Sequence, residues 1–425
     1  MGAGPPGFLL GGRGDQHQAA PRDHASLLRD PSYVGEQAHR RAPCRIRAGR
    51  AAGGQRNDGP GYLSIIWGVS PALVRSFPRR VLITGVSNPL GAEVARRLST
   101  QVPALFGCDV ADPVSAIEEM DFVHADTRQS VIGKLVRQLH IDTVVHMAVT
   151  VDSAGEHRAE HETNVIGTMN VLAGCAGPSS PVKRLVVKSS QAVYGAKPAD
   201  PSFLTEEVAG PDRQAYGLKR DLLEMEQLAQ EFSLRTPGCR VTVLRLGFRV
   251  SEGTTLGRYL SLPLVPTFAG FDPRLQLLHE DDAAEAIVRG ALDGHEGVFN
   301  VAADGIVLLS QAIGIMGGTP VPILPPYGRW LGRMALRATG IDLPGHLADV
   351  LTYGSVADCS RLASTYGWKP AFNTRAVMDS LARGKDVELI EAPSPPQEYE
   401  LQVYLQRRRR LAKNGHAPAS LMAQR

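Results

Sequence analysis

Beginning at Arg80, short runs rich in Val, Ile and Leu alternate with segments whose apolar residues recur at helical spacing. The runs fall at 81–84, 104–109, 122–125, 143–147, 184–189 and 241–246. Helical patterns lie between them at 89–99, 130–139, 161–176 and 215–232. Strands that are apolar along their whole length, rather than at every second residue, are buried on both faces. Strands separated by helices allow the right-handed crossovers of a parallel sheet. The alternation therefore predicts an α/β fold, a doubly wound Rossmann-type parallel sheet, with ligands outside the carboxyl ends of the strands.

After about Gly247 the elements shorten and Pro and Gly become more frequent, which predicts a smaller C-terminal substrate lobe. The expected organisation is a disordered N-terminal extension over 1–78, one domain over 79–390 and a tail over 391–425. Within the domain, 79–250 is mainly dinucleotide-binding and 251–390 mainly the substrate lobe. Residues 1–61 are rich in Gly, Arg, Pro, Ala and Gln and lack apolar periodicity, so burial cannot offset their ordering entropy. A functional basic arm is the alternative reading of that stretch. The run Arg407-Arg408-Arg409-Arg410 reads as part of a solvated tail, with an acidic membrane or partner contact as its alternative.

Composition narrows the function classes. The 425-residue chain is 43% hydrophobic and 21% charged, with a formal net charge of +3, which offers no basic footprint for nucleic acid. Its five cysteines are scattered, with no Cys-x-x-Cys pair and no His cluster at ligand spacing, so neither a disulfide framework nor a metal site is expected. The most apolar stretch before the first strand, 62–74, is too short to span a bilayer. A cytoplasmic protein without a membrane span is the expectation.

Thr84-Gly85-Val86-Ser87-Asn88-Pro89-Leu90-Gly91 joins the first strand to the first helix. Pyrophosphate needs bare backbone at a helix N-terminus, where N–H groups and the helix dipole favour anions. The motif alone is equally an ordinary strand-to-helix loop. Asp109, 18 residues past Gly91, ends the second predicted strand, where a carboxylate would accept from adenosine ribose hydroxyls. Asp126, followed by Thr127, ends the third, within reach of an adenine edge. Either Asp could instead cap a turn, but both fall in register with strand ends. Candidate cofactor contacts are therefore Gly85, Ser87, Asn88, Pro89, Leu90, Gly91, Asp109, Asp126 and Thr127. NAD is expected over NADP, because Asp109 would repel a 2′-phosphate.

Several ordered motifs then resemble the extended short-chain dehydrogenase/reductases, the NAD-dependent epimerase/dehydratases, over about Arg80 to Leu389. Asp142-Thr143-Val144-Val145-His146-Met147-Ala148 resembles the fourth-strand D-x-V-x-H-x-A signature. Asn164-Val165-Ile166-Gly167-Thr168-Met169-Asn170 resembles the helix that follows it. Val187-Lys188-Ser189-Ser190-Gln191-Ala192-Val193-Tyr194-Gly195 resembles the segment carrying the catalytic Ser or Thr. Tyr216-Gly217-Leu218-Lys219-Arg220 stands in the place of the Y-x-x-x-K helix. Leu244-Arg245-Leu246, Arg274 to Asp282, Gly297 to Val301 and Tyr366-Gly367-Trp368-Lys369-Pro370 resemble later family segments. The resemblance is nearest to UDP-glucose 4-epimerase-like proteins.

The resemblance implies further roles. Met147, Ala148, Val149, Asn164, Ser189 and Phe248 would line the cofactor, with Tyr216 and Arg220 touching it as well. Ser190, Tyr216 and Arg220 would be catalytic, and Ser190 and Arg274 would hold the substrate. In that chemistry a Tyr phenolate accepts a hydroxyl proton, and a neighbouring lysine lowers its pKa. A nucleotide-sugar substrate and a homodimer, formed through the helices bearing Asn164 and Tyr216, are implied too. Plainer roles stand beside these: Tyr216 as a packing aromatic, Ser190 as a strand-end Ser bonded to backbone, and Arg274 as a surface residue paired with Asp272 or Glu280. His146 and His279 read as structural.

Three departures from the family pattern stand out. Asn88 replaces the middle glycine; Asn tolerates left-handed backbone better than most residues, so the turn is expected to survive with less room for pyrophosphate. Arg220 replaces the lysine, while Lys219, about 100° away around a helix, is expected to point elsewhere. Gly247-Phe248-Arg249-Val250 replaces the usual Asn and Gly-Pro. Three functions remain open: an epimerase, dehydratase or reductase of a nucleotide-sugar; an oxidoreductase of a hydrophobic alcohol, favoured by Phe248 and the apolar 260–268 stretch; and a catalytically silent nucleotide-binding scaffold or sensor. The helical 329–337 segment reads as lobe packing, with lipid contact as its alternative.

Overall fold

The structure is a computed structural model and describes residues 77–151, 157–210, 212, 215–324, 334 and 336–386. Nearly all of the predicted 1–78 extension, the 62–74 stretch, the 391–425 tail and most of the 329–337 segment lie outside the described residues.

Seven parallel strands form the central sheet: β1 (Arg80–Thr84), β2 (Ala104–Asp109), β3 (Met120–His124), β4 (Thr143–His146), β5 (Arg184–Ser190), β6 (Arg240–Leu246) and, later in the chain, β11 (Gly297–Val301). Their order is β3-β2-β1-β4-β5-β6-β11. The order reverses between β1 and β4, which are directly paired, and a crevice opens at such a switch point. In β5 all seven residues are buried, as a strand covered on both faces requires.

The two faces carry separate apolar clusters. On one face, α2 (Ile132–Gln138), α4 (Gly167–Cys175) and α5 (Gly217–Arg235) supply Ile132, Val136, Val171, Leu172, Leu222 and Met225. On the other, α1 (Pro89–Ser99) and α7 (Glu280–Asp293) supply Leu90, Val94, Leu98, Ala284, Ile287 and Val288, and α10 (Ser360–Tyr366) adds Leu362. The helix predicted over 161–176 divides into α3 (His157–His161), a π-helical turn at Glu162–Ile166, and α4. Such a turn often marks a functional position, and this one carries Asn164.

A third cluster forms the smaller lobe, built on α6 (Thr255–Leu260), α8 (Leu309–Ile315), α9 (Gly345–Tyr353) and α11 (Thr374–Asp386). Three strand pairs complete it. β7 (Phe248–Arg249) pairs with β10 (Leu277–Leu278), β8 (Leu264–Phe268) with β13 (Thr319–Ile323), and β9 (Arg274–Leu275) with β12 (Val307–Leu308). The lobe is interrupted in sequence, because residues 280–301 return to the central sheet as α7 and β11. The signals for α7 are local: three acidic residues in its first turn, and Gly294 at its C-terminus in the left-handed region. Among the described residues no helix is long and apolar enough to cross a membrane.

Candidate active site

The first strand ends against β4 through a buried relay. Thr84 Oγ1 lies 2.7 Å from His146 Nδ1, and His146 Nε2 lies 3.0 Å from Thr168 Oγ1. Both ring nitrogens are thus occupied, and His146 is structural in its contacts. Burial, reinforced by Lys188, lowers its pKa to about 3. The folded protein therefore keeps His146 neutral, whereas the unfolded chain takes a proton as pH falls through about 6.5. Between these values the unfolded state binds one more proton, so each unit of acidification removes about 1.4 kcal/mol of stability through this residue. Urea unfolding between pH 4 and 7 should show His146→Gln flattening the slope by one proton. Parallel slopes would mean that His146 does not carry it.

The strand-to-helix loop follows directly. Gly85 has φ +77, and a Cβ there would lie 2.5 Å from the Ala148 nitrogen, so only glycine lets the loop settle on the end of β4. Asn88 is not left-handed: it is extended, at φ −82 and ψ 156. Its carbonyl oxygen accepts from the Gly91 N–H at 2.9 Å, and its amide donates to the Gly85 oxygen at 2.6 Å. The turn survives because Asn88 acts as an N-cap, not because it tolerates positive φ. Asp109 accepts from the Ser87 N–H at 2.9 Å and the Val110 N–H at 2.7 Å, and Ser87 Oγ donates to the Ala111 oxygen.

These contacts test the loop against a dinucleotide. The switch-point position, the close approach at Gly85 and the carboxylate at the end of β2 all fit one. The first helical turn offers fewer donors than a phosphate cradle can use. Pro89 has no N–H and Gly91 donates to Asn88, which leaves Leu90 to bind an anion. Asp126 is engaged locally: Arg128 grips both carboxylate oxygens and holds its pKa below the usual value. Thr127 is buried against Gly167 on α4. Asn164 clasps both backbone groups of Thr150, at 2.7 and 2.9 Å, and so fixes the segment that follows β4.

A pocket opens where β5 and β6 end. It is lined by Lys188, Ser189, Ser190, Phe248, Arg249 and His346, with aliphatic residues between them. Ser189, Ser190 and Phe248 thus come together. Ser190 Oγ accepts from the Ala192 N–H at 3.2 Å, which leaves its hydroxyl proton available to a ligand. Behind the pocket lies a buried polar network. Arg245 pairs with Glu226 at 2.6 Å, both side chains nearly inaccessible, and donates to Tyr194 Oη at 2.9 Å and to the Glu206 oxygen at 2.9 Å. Ser189 Oγ donates to Glu226, and Tyr194 Oη to Asn300 at 2.7 Å. Burial pushes the Tyr194 phenol up to about 12.

Other expected members stand apart. Tyr216 is 73% exposed and does not line this pocket. It is extended, at φ −139, and Gly217 turns left-handed at φ +56, so Tyr216 precedes the helix. Helical phase counted from Tyr216 therefore misplaces its neighbours. Lys219 is the inward residue: it packs against Gly195 and pairs with Asp212 at 2.9 Å, while Arg220 is exposed. Arg274 lines a different cavity, with Asp304, Asp358 and Lys369, and donates to the Ser202 oxygen at 3.4 Å. Neither Asp272 nor Glu280 is its partner, since they engage Ser310 and Arg249. His279 caps α7 and stacks on Phe372. No group of His, Cys, Asp or Glu among the described residues could hold a metal.

Sequence reasoning passed over Lys188 and Glu226. A lysine inside the buried run Arg184 to Ser190 was the available signal, since lysine is rarely buried without a reason.

Residues 81–302 match the model of the NAD dependent epimerase/dehydratase family. An uncharacterized protein of Mycobacterium tuberculosis (strain ATCC 25618 / H37Rv) is 37% identical over 336 residues, covering 76% of this chain and 89% of its own length. Among solved structures, the UDP-glucose 4-epimerase of Thermotoga maritima with UDP-glucose superposes with a TM-score of 0.56 at 16% identity, covering 72% of this chain and 98% of that one. The dTDP-glucose 4,6-dehydratase of Bacillus anthracis in complex with NAD superposes at 0.55 with 14% identity, covering 72% and 96%. These two likenesses speak for the fold. With half of its length matched by the family model and a relative above one-third identity, the chain belongs to the NAD dependent epimerase/dehydratase family, the extended short-chain dehydrogenase/reductases.

Proposed function

We propose that this protein is an oxidoreductase of the epimerase/dehydratase type that uses a nicotinamide dinucleotide, NAD in preference to NADP, on a nucleotide-sugar. The observation that carries the reading is the pocket at the ends of β5 and β6, where Ser190 and Lys188 meet beside Phe248. The names of the structural neighbours, which include UDP-glucose and dTDP-glucose enzymes, support the substrate class.

Gly85, Ser87, Leu90 and Asp109 would hold the adenosine diphosphate half, with Met147, Ala148 and Val149 along the β4 side. The cofactor, when bound, supplies reversible hydride exchange with a carbinol carbon. Ser190 orients the reacting oxygen by donating its hydroxyl proton, and Phe248 excludes water. A homodimer in the cytoplasm is part of the same proposal.

A second reading, a silent dinucleotide-binding module, draws on one observation: Tyr216 and Arg220 are both exposed, and neither lines the pocket that holds Ser190. Titrating the purified protein with NADH by fluorescence, then assaying UDP-glucose, dTDP-glucose and UDP-glucuronic acid for changes in nucleotide absorbance and sugar product, separates the two. Binding together with conversion of one sugar is expected; binding with none converted would establish the silent module.

Asp109 sets the cofactor preference in this proposal. NADPH should bind on the order of tenfold or more weakly than NADH, because a carboxylate accepts from a ribose hydroxyl and repels a phosphate. Asp109→Ser should narrow that gap. Equal affinities in the unaltered protein would remove Asp109 from the role.

A further inference from the structure

Lys188 lines the pocket, and the family pattern gives its amine no use. It sits in β5 two residues before Ser190, so strand alternation sends the two to the same side of the sheet. The residue is 5% exposed, and its side chain lines the pocket and has no hydrogen-bond or ion-pair partner among the described residues. The charged and titratable groups around it are His146 on β4, Arg249 on β7, Glu280 on α7 and His346 on α9. Arg249 and Glu280 pair with each other at 2.8 Å, so the Glu280 carboxylate is already matched by a guanidinium and offsets a lysine charge only in part. A buried ammonium without a carboxylate of its own is costly, and the amine escapes the cost by giving up its proton.

From this geometry we propose that Lys188 is the proton-transfer residue of the site, an amine that takes the place of the exposed Tyr216. The proposal rests on the reading of the pocket as an oxidoreductase site. In the oxidative direction the O–H bond of a substrate carbinol breaks and its proton passes to Nζ, which becomes an ammonium. The C–H electron pair leaves with its hydrogen to the oxidised nicotinamide dinucleotide, and the C–O bond becomes a carbonyl. In the reductive direction the same ammonium returns the proton to the alkoxide oxygen. Ser190, on the same strand end, holds that oxygen by donating its hydroxyl.

The physical basis is consistent with a working amine. Burial, with Arg249 adding to it and Glu280 opposing, brings Lys188 down to about 7, so both forms are populated near neutrality. An ordinary lysine, at about 10.4, would hold its proton throughout. A general base works best when its pKa lies near the operating pH.

Lys188 can be read without knowing the substrate. Brief acetic anhydride pulses on the full-length protein between pH 5.5 and 11, followed by mass spectrometry of each lysine peptide, give the pH at which each amine becomes reactive. Lys188 should reach half of its maximal reactivity near pH 7, about three units below an ordinary lysine, with Lys197, whose side chain is 55% exposed, as the surface control. NADH together with UDP should slow the Lys188 reaction at least tenfold and leave Lys197 unchanged. A Lys188 midpoint near that of an ordinary lysine, about 10.4, or no acetylation in the folded protein at any pH, would overturn the proposal. So would a rate indifferent to NADH and UDP when the fluorescence titration shows them bound.

Where a nucleotide-sugar is converted, the rate should fall below pH 7 as the amine protonates, and Lys188→Arg should abolish kcat while leaving NADH affinity intact. Lys188→Met serves if the arginine variant does not fold. Unchanged turnover in either variant defeats the proposal for Lys188 alone. Absent NADH binding defeats the oxidoreductase reading instead, and the acetylation midpoint then decides whether the amine is neutral.

Discussion

Replacing Arg245 with Met should lower the unfolding free energy by about 3–5 kcal/mol, the range found when one partner of a buried ion pair is removed. The guanidinium and the Glu226 carboxylate are almost wholly inaccessible, at 2% and 3% side-chain exposure. Both carboxylate oxygens of Glu226 accept from Arg245, and one of them also accepts from Ser189. Methionine fills much of the volume but leaves the Glu226 carboxylate buried with only the Ser189 hydroxyl donating to it. The other acceptors lose a partner as well: Tyr194 Oη and the Glu206 oxygen each receive an N–H from Arg245. The double variant Arg245→Met/Glu226→Leu should recover most of the loss, because it removes the orphaned charge along with its partner. Urea midpoints of the two single variants and the double variant check this. A double variant no more stable than Arg245→Met would show that packing, not charge, holds the centre.

The same substitution reaches the pocket. Ser189 is tied to Glu226 and adjoins Ser190, and Tyr194 ties the segment after β5 to Asn300 on β11. Loosening Arg245 therefore frees the end of the strand on which Ser190 and Lys188 stand. Ligand affinity should fall along with stability, more than it would for a core substitution of equal cost on the far side of the sheet.

The sheet was legible because parallel strands buried on both faces are written as uninterrupted apolar runs. All six expected runs became strands, with ends shifted by a few residues at most, and the first helix fell at Pro89–Ser99 as expected. The smaller lobe was less legible. Its strands are as short as two residues, and its helices pack through Leu256, Leu347 and Met378 from distant parts of the chain. No local pattern records such contacts. Residues 280–301 returned to the sheet for the same reason, since strand pairing between β11 and β6 joins segments far apart in sequence.

Motif positions carried the site only where backbone conformation was ordinary. Around Ser190 the strand fixes the direction of each side chain, so Ser189, Ser190 and Phe248 reached one pocket. At Tyr216 a left-handed glycine intervenes, and the rotation per residue assumed across it does not apply. Arg220 turned outward and Lys219 inward as a result. Asn88 shows the converse case: its side chain supplies a cap that the missing glycine never required.

Gly85→Ala should cost both stability and dinucleotide binding, and it is the sharpest test of the loop. Alanine at φ +77 is strained by about 1–2 kcal/mol whatever the space around it. Here there is no space, since the new methyl would lie 2.5 Å from the Ala148 nitrogen and 2.7 Å from the Met147 carbonyl carbon. Both obstacles are backbone at the end of β4, so relief must come from lifting the loop itself. That movement pulls on Asn88, which is bonded to the Gly85 oxygen, and so on the helix it caps. It also carries Ser87 away from Asp109. A charge-assisted hydrogen bond is worth about 1.5–3 kcal/mol, so losing one or two from a pyrophosphate should weaken NADH binding by about a hundredfold or more. Gly340→Ala is the matched control, for Gly340 has the same φ of +77 and nothing within 4 Å of the place a methyl would take. It should bear the conformational cost alone and bind NADH as the unaltered protein does. Equal NADH affinity in Gly85→Ala and Gly340→Ala would mean that the approach of this loop to β4 does not shape the dinucleotide site.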